Sequence, residues 1–228
     1  MLSLRDLSLE ELLVLHRTEL HEAFPAAELK PYAAMAHLCR RGVYHPIGAF
    51  EGAALVGYAI LWSSPDERYV LIDYLGVTKD RRNGGLGGAI LRLLAERYAD
   101  RDGILVESEA PEGGATEGGA TEGGAADALR RRRLGFYQRN GFTFLDYECI
   151  LFSVHYAVAL CSPNGRGTEA AAMAAHQALY RSQLAPWAYD RFIQIPLDPT
   201  RPVAPTESWA GQTTLPGLGE EEERNDRR

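Results

Sequence analysis

Two short stretches of the chain hold residues whose types and spacing could do chemistry. The first is RRNGGLGG at 81–88, between a strand-like apolar run and an amphipathic helix-like run. A glycine-rich turn that opens a helix is an anion site. The first helical amides have no partner inside the helix, the helix dipole favours negative charge there, and glycine lets a phosphate approach the backbone. Two familiar phosphate loops do not fit. A P-loop needs Lys-Ser or Lys-Thr after its last glycine, and none follows. The dinucleotide loop GxGxxG starts at Gly85 and Gly87 but meets Ile90 at its third glycine. The second stretch is ILVESEA at 104–110, which puts Glu107 and Glu109 on one face of a strand. Two acids in an apolar strand need partners. RRRR at 130–133 is a source of them: Arg133 lies four residues from both Leu129 and Tyr137 and is expected to share their inward face. Arg133 and Arg130 are therefore expected to meet Glu107, Glu109 or a phosphate.

Arg82-Asn83-Gly84-Gly85-Leu86-Gly87 also matches [RQ]xxGx[GA], and FYQRNGF at 136–142 has a tyrosine ahead of a helix-ending Gly-Phe. In this order, with one helix and one strand between them, the two motifs resemble those of the GNAT superfamily of acyl-CoA-dependent N-acyltransferases. The resemblance covers about residues 1–161. It implies an acetyl-CoA-dependent N-acetyltransferase that moves an acetyl group to a primary amine, on a small molecule or a peptide, with both substrates bound together. It further implies that Arg82, Asn83, Gly84, Gly85, Leu86, Gly87 and Gly88 hold the pyrophosphate. In the strand LIDYLGV, the backbone of Leu75 and Val77 would hold the pantetheine arm. Tyr137 matches the tyrosine that lies near the coenzyme A sulfur as general acid. A core tyrosine with a satisfied hydroxyl is its alternative.

For the base there are two candidates. Strand alternation places Asp73 beside Leu75 and Val77, where a carboxylate could take the amine's proton; the alternative is an acid paired with an arginine for structure. Glu107 resembles the position of the base in some peptide-amine acetyltransferases. It could equally bind a cationic acceptor or be paired structurally. An asparagine is commoner in the family where this chain has Arg130, and a small residue where it has Arg133.

These side chains need a frame, and the pattern predicts a mixed α/β (α+β) fold. Its central sheet is expected to be mostly antiparallel, flanked by helices, with a helical or irregular C-terminal extension. A first strand over 1–7 precedes a helix opened by a Ser8–Glu11 capping box. A second helix is expected over 25–41, with Pro25 in its first turn. Three strands follow as a meander, then the glycine loop, a helix to about Ala99 and the strand of Glu107. A helix over 126–140 ends at Asn140-Gly141, and two strands close the domain at Cys161. An alanine-rich helix over 168–184 and an extended arm over 185–199 are expected beyond it. Between the strand of Glu107 and the helix of Tyr137 lies EGGATEGGATEGG at 112–124, a flexible insertion spanning about 111–125 that is either a mobile acidic flap or a neutral spacer. The expected organisation is a domain at 1–161, an extension at 162–200 and a disordered tail at 201–228.

Of the 228 residues, 46% are hydrophobic, enough for a core, and the net charge of −7 speaks against a nucleic-acid binder and suits a cationic substrate. The longest apolar stretch, at 150–160, is too short to span a bilayer. Cys39, Cys149 and Cys161 without CxxC spacing suit a reducing cytoplasm. The six histidines show no ligand spacing, and no metal is expected. Two non-enzymatic readings stand beside the enzyme: an acyl-CoA-binding sensor, and a partner-binding domain that uses the extension. Neither the acceptor nor the oligomeric state is encoded in a recognisable motif.

Overall fold

A computed structural model describes residues 1–25, 28–82, 84–111 and 124–204. The repeat at 112–123, Asn83 and the tail from 205 onward lie outside the described residues. The elements in chain order begin with β1 (Leu2–Asp6), α1 (Leu9–Leu15) and, beyond a π-helical stretch at His16–Leu20, the short α2 (His21–Ala23). Then come α3 (Tyr32–Arg40), β2 (Tyr44–Glu51), β3 (Ala54–Ser63), β4 (Tyr69–Val77), α4 (Leu86–Arg97), β5 (Gly103–Glu109) and α5 (Ala125–Arg139). The chain closes with β6 (Thr143–Leu151), β7 (Val154–Cys161), α6 (Glu169–Arg181), α7 (Pro186–Phe192) and β8 (Ile193–Gln194).

The eight strands form one sheet in the order β1-β2-β3-β4-β5-β7-β6-β8. Only β4 and β5 run parallel, as expected where a helix (α4) crosses between them; every other pair is antiparallel. Each face of the sheet carries an apolar cluster. On one, Leu12, Leu20, Met35 and Leu38 from the N-terminal helices meet Leu179 and Tyr180 of α6 and Phe192 of α7. On the other, Ile90, Leu91 and Leu94 of α4 pack on Ile47, Ala59 and Val106.

Local chemistry explains the helix boundaries. Ser8 Oγ accepts the Glu11 amide, and the Glu11 carboxylate accepts the Ser8 amide, so the expected capping box is present. The second helix starts later than expected. Pro31 stands at its N-cap and biases Lys30 away from the helical region, so α3 begins at Tyr32. The arm is not wholly extended either: Pro186 at the first helical position opens α7, and only Ile193 and Gln194 pair, with β6. No helix among the described residues is long and apolar enough to cross a membrane.

The chain beyond Cys161 shares the core of the domain. Ser162 Oγ donates to the Asp102 carbonyl (2.8 Å) and accepts the Gly167 amide (2.8 Å), which clamps the loop onto the start of β5. A Cβ at Gly167 would lie 2.5 Å from that same carbonyl, a backbone atom that cannot swing aside. Gly167→Ala is therefore expected to destabilise the fold by about 1–3 kcal/mol. Thermal and urea unfolding of the variant measure the loss.

Candidate active site

The site begins where two strands separate. β4 and β5 pair from Tyr69↔Gly103 to Ile72↔Val106 and then part. Past that point β4 stays on β3, with Leu75 opposite Ala59 and Val77 opposite Gly57, while β5 stays on β7, with Glu107 opposite Val158. A cavity of about 530 Å³ fills the wedge between them. The β4 edge facing it, from Asp73 to Val77, has no ladder partner there among the described residues, so its amides and carbonyls could bond an extended ligand as an added strand would.

The break in pairing coincides with a bulge. Leu61 faces Ile72, but its neighbour Ile60 faces Tyr74, so Asp73 is the extra residue. Leu71 and Tyr74 therefore point to one face of the sheet, Ile72, Leu75 and Val77 to the other. This corrects the simple alternation: Asp73 does not share the side of Leu75 and Val77. Its carboxylate is nearly enclosed and receives Lys30 Nζ on both oxygens at 2.7 Å, with the Tyr44 hydroxyl donating to Oδ2. Lys30 is itself buried, 5.3 Å from the Trp62 ring centre and 5.6 Å from that of Tyr74. The partner is thus a lysine, not an arginine.

The start of α4 follows the loop whose Arg82 lines the cavity, and a Cβ at Gly87 would lie 3.9 Å from the Val77 side chain. Gly85 is the N-cap of α4 at φ +74°, a left-handed conformation that glycine adopts freely, and no side chain caps the helix there. The first amides, of Leu86, Gly87 and Gly88, are left for a ligand. Gly87 and Gly88 also have a packing role: a Cβ would lie 3.2 Å from the Phe136 ring and 2.6 Å from Asn140 Oδ1 respectively. Arg82, exposed at the rim, donates weakly to the Val77 carbonyl (3.4 Å). Leu86 is half-buried against the α4 side of the core and Gly84 is exposed.

On α5, Tyr137 lines the cavity between the rings of Phe136 and Phe142, with centroids 5.2 and 5.5 Å away. Burial pushes its phenol up to about 12, against a smaller opposing pull from Arg133, so the hydroxyl keeps its proton at neutral pH. The inward face expected for the first turns of this helix is not there. α5 buries none of its residues fully; Leu129 is 49% exposed and Arg133 is exposed at the cavity rim. Arg130 pairs with Glu109 at 2.7 Å, as one of the expected combinations required. Arg133 makes no ion pair with Glu107 or Glu109 among the described residues.

Glu107 finds different partners. His176 Nε2 donates to Oε1 at 2.6 Å, and the Tyr180 hydroxyl lies 2.9 Å from Oε1 and 3.1 Å from Oε2. Both come from α6. His176 Nδ1 is 3.1 Å from the Tyr147 hydroxyl, and His176 is fully enclosed. Cys149 Sγ lies within 4.8 Å of the Glu107 and His176 ligand atoms. Glu107 and these partners are scattered across three elements, β5, β6 and α6, which is why no spacing in the sequence announced them. With both imidazole nitrogens engaged, the group is closed by hydrogen bonds.

Comparison with known proteins agrees with this architecture. Residues 9–113 match the model of the "Acetyltransferase (GNAT) family". The "Putative acetyltransferase YjbC" of Bacillus subtilis (strain 168) is 34% identical over 126 residues, 54% of each chain, so the match spans about half of that relative's length. The ribosomal-protein-S18-alanine N-acetyltransferase of Escherichia coli superposes with a TM-score of 0.52 at 16% identity, over 73% of this chain and 97% of that one. A variant of the SpeG spermidine N-acetyltransferase of Vibrio cholerae gives 0.51 at 11%, over 74% and 98%. Residues 9–113 thus carry the GNAT acetyltransferase-family pattern, and the chain has the GNAT fold.

The matched GNAT segment contains β4, the glycine loop, α4 and β5, but stops before Tyr137 and well before His176 and Tyr180. A further residue that no sequence pattern marked is Glu28. It lines the cavity, and burial, reinforced by the charge of Glu109, holds its carboxyl above the ordinary value while Arg133 and Arg130 pull it down. Lys30 was equally invisible, since it lies 43 residues from Asp73 in an unremarkable Leu-Lys-Pro context. Replacing it strands Asp73 in the core of this GNAT fold. Lys30→Met is expected to cost about 3–5 kcal/mol, because one charge of a buried pair loses its partner. The shift in urea midpoint against the parent chain reads it out.

Proposed function

We propose that the protein is an acetyl-CoA-dependent N-acetyltransferase that acts on a cationic primary amine, of a small molecule or a peptide, by direct transfer with both substrates bound. The observation that carries this reading is that one wedge-shaped cavity is lined by the open β4 edge, by Tyr137, whose phenol keeps its proton, and by Glu107 with its hydrogen-bond donors, while the glycine loop that leads into the uncapped start of α4 reaches it at Arg82. The cofactor supplies the activated acetyl thioester. Amides of Leu86, Gly87 and Gly88, with Gly84, Gly85, Arg82 and Asn83 around them, hold its pyrophosphate. The β4 backbone at Leu75 and Val77 holds the pantetheine amides.

Glu107 is the base in this scheme. The acceptor arrives as an ammonium, and Glu107 takes one of its protons. The amine then forms the C–N bond at the thioester carbonyl. When the C–S bond breaks, Tyr137 gives its hydroxyl proton to the leaving sulfur, the nitrogen releases its second proton to water in the cavity, and Tyr137 regains one from that water. Asp73 serves structure, because protonating it would leave Lys30 uncompensated. The acidic side chains of Glu22 and Glu28 at the cavity, and the net charge of −7, draw a cationic acceptor. The structural neighbours act on amines of that kind, spermidine in one case and the alanine of a ribosomal protein in the other.

A thiol-release assay with acetyl-CoA over spermidine, lysine, an alanyl peptide and an aryl amine tests the activity. Turnover with one of the aliphatic amines is expected; acetyl-CoA binding with no turnover on any amine would point to a sensor. Tyr137→Phe should lower kcat by about 10²-fold or more and leave the acetyl-CoA Kd within about twofold. An unchanged kcat removes the general-acid role. Gly85→Glu strains a left-handed position and sets a negative charge beside the helix start, so acetyl-CoA affinity should fall at least about tenfold by calorimetry.

A further inference from the structure

We propose that His176 and Tyr180, supplied by α6 after the common GNAT core, position Glu107 for proton abstraction, so that the segment beyond residue 161 is a working part of the active site. This rests on the reading of Glu107 as the base.

The hydrogen-bond pattern divides the two carboxylate oxygens. Oε1 receives both His176 Nε2 (2.6 Å) and the nearer contact of the Tyr180 hydroxyl (2.9 Å), while Oε2 has only the longer one (3.1 Å). A carboxylate oxygen accepts two bonds readily, so Oε1 is filled and Oε2 keeps capacity for an incoming N–H. Glu107 and Tyr180 line the cavity and His176 lies behind them, with no exposure at all. His176 therefore reaches an acceptor only through Glu107, as a positioning residue. For Nε2 to donate, it must carry the proton; in the neutral imidazole Nδ1 then accepts from the Tyr147 hydroxyl at 3.1 Å. That second bond sets the ring plane and the tautomer.

The groups facing the pair are few. β5 supplies Glu107 itself, β6 supplies Tyr147 and Cys149, β7 Tyr156, β4 Asp73 and α6 Tyr180. Burial raises Cys149, Tyr147, Tyr156 and Tyr180, which stay uncharged at neutral pH, and Asp73 is matched by Lys30. No fixed cation touches Glu107 among the described residues. Its negative charge is thus held by hydrogen bonds alone, which orient it without neutralising it. The helix that carries the donors is itself anchored. Tyr180 packs edge-on against Trp62 with centroids 5.3 Å apart, Leu179 is fully buried, and Gln177 Nε2 donates to the Ile195 carbonyl at 2.6 Å. The proton taken from the acceptor goes to Oε2 and leaves to water through the cavity; His176 keeps its own throughout.

The test compares full-length His176→Leu, His176→Gln, Tyr180→Phe and Glu107→Gln, using acetyl-CoA and the fastest amine of the panel above. Thermal unfolding establishes that each is folded. Glu107→Gln is expected to lose at least about 10²-fold in kcat. His176→Leu should lose at least about tenfold in kcat, keep its acetyl-CoA KM within about twofold, and move the acid limb of kcat/KM to higher pH. His176→Gln keeps an amide donor near the place of Nε2 and should recover most of the rate. Should the leucine variant fail to fold, Tyr180→Phe removes a single hydroxyl and is expected to show a several-fold kcat loss with the same upward shift of the acid limb. If Glu107→Gln is inactive while folded His176→Leu and Tyr180→Phe both keep the parent kcat and pH profile, the positioning role is wrong and the base stands. If Glu107→Gln turns over normally, the base and the positioning role fall together.

Discussion

The parting of two parallel strands is the constraint on which the rest of this molecule depends. β4 and β5 share a ladder only as far as Ile72 and Val106, and each then follows its outer neighbour. A strand edge left open inside a fold carries unpaired amides and carbonyls, a costly arrangement unless something else bonds them. The bulge at Asp73 is the local device that accompanies it. It turns one residue out of phase, brings a carboxylate to the enclosed face, and so requires a cation; Lys30 meets that need. The Trp62 and Tyr74 rings around Lys30 follow in turn, as faces on which a buried ammonium can rest.

The glycine loop is placed by the same geometry. α4 begins after a short loop from the end of β4, and Val77 and Arg82 of that connection line the cavity. Within the loop the glycines divide the work. Gly85 supplies a backbone conformation, whereas Gly87 and Gly88 let α4 approach α5 closely enough to touch Phe136 and Asn140. Asn140 is pinned in turn, donating to the Phe136 carbonyl at 2.8 Å. Because Tyr137 is the next residue after Phe136, the same glycine packing fixes how the phenol-bearing turn of α5 sits against α4.

Much of this was legible from local patterns. The order and type of strands, the capping box, the glycine turn and the Asn140-Gly141 helix stop depend on neighbours in sequence, and they are found as read. What was not legible depends on register and distance. Alternation through LIDYLGV put Asp73 beside Leu75, and a single inserted residue, visible only as a slip between Ile60 and Leu61, reversed it. The spacing of Leu129, Arg133 and Tyr137 put them on one inward face, yet only Tyr137 is partly buried while Leu129 and Arg133 are exposed, because spacing along a helix does not say how much of it is covered. The expectation that Glu107 and Glu109 need partners was sound chemistry, yet only Glu109 found an arginine. The partners of Glu107 come from an alanine-rich helix 69 and 73 residues away, whose sequence shows an apolar face and nothing of its role.

The cavity therefore holds carboxylates in different states, and the state decides what each can do. Asp73 and Glu109 are each tied to a fixed cation, Lys30 and Arg130. Taking up a proton at Asp73 would leave a buried ammonium without a counterion, at a cost of about 3–5 kcal/mol on top of the proton transfer. Glu28 is disfavoured as an ion by burial and by its acidic neighbour, which suits it to receive positive charge from outside the protein. Glu107 alone is both aimed by donors and free of a fixed cation among the described residues. A proton taken up at Oε2 leaves the His176 and Tyr180 bonds to Oε1 in place. The base role proposed for Glu107 needs a group that can pass between the two forms once per turnover, and in this chain its hydrogen-bond donors are provided by the extension.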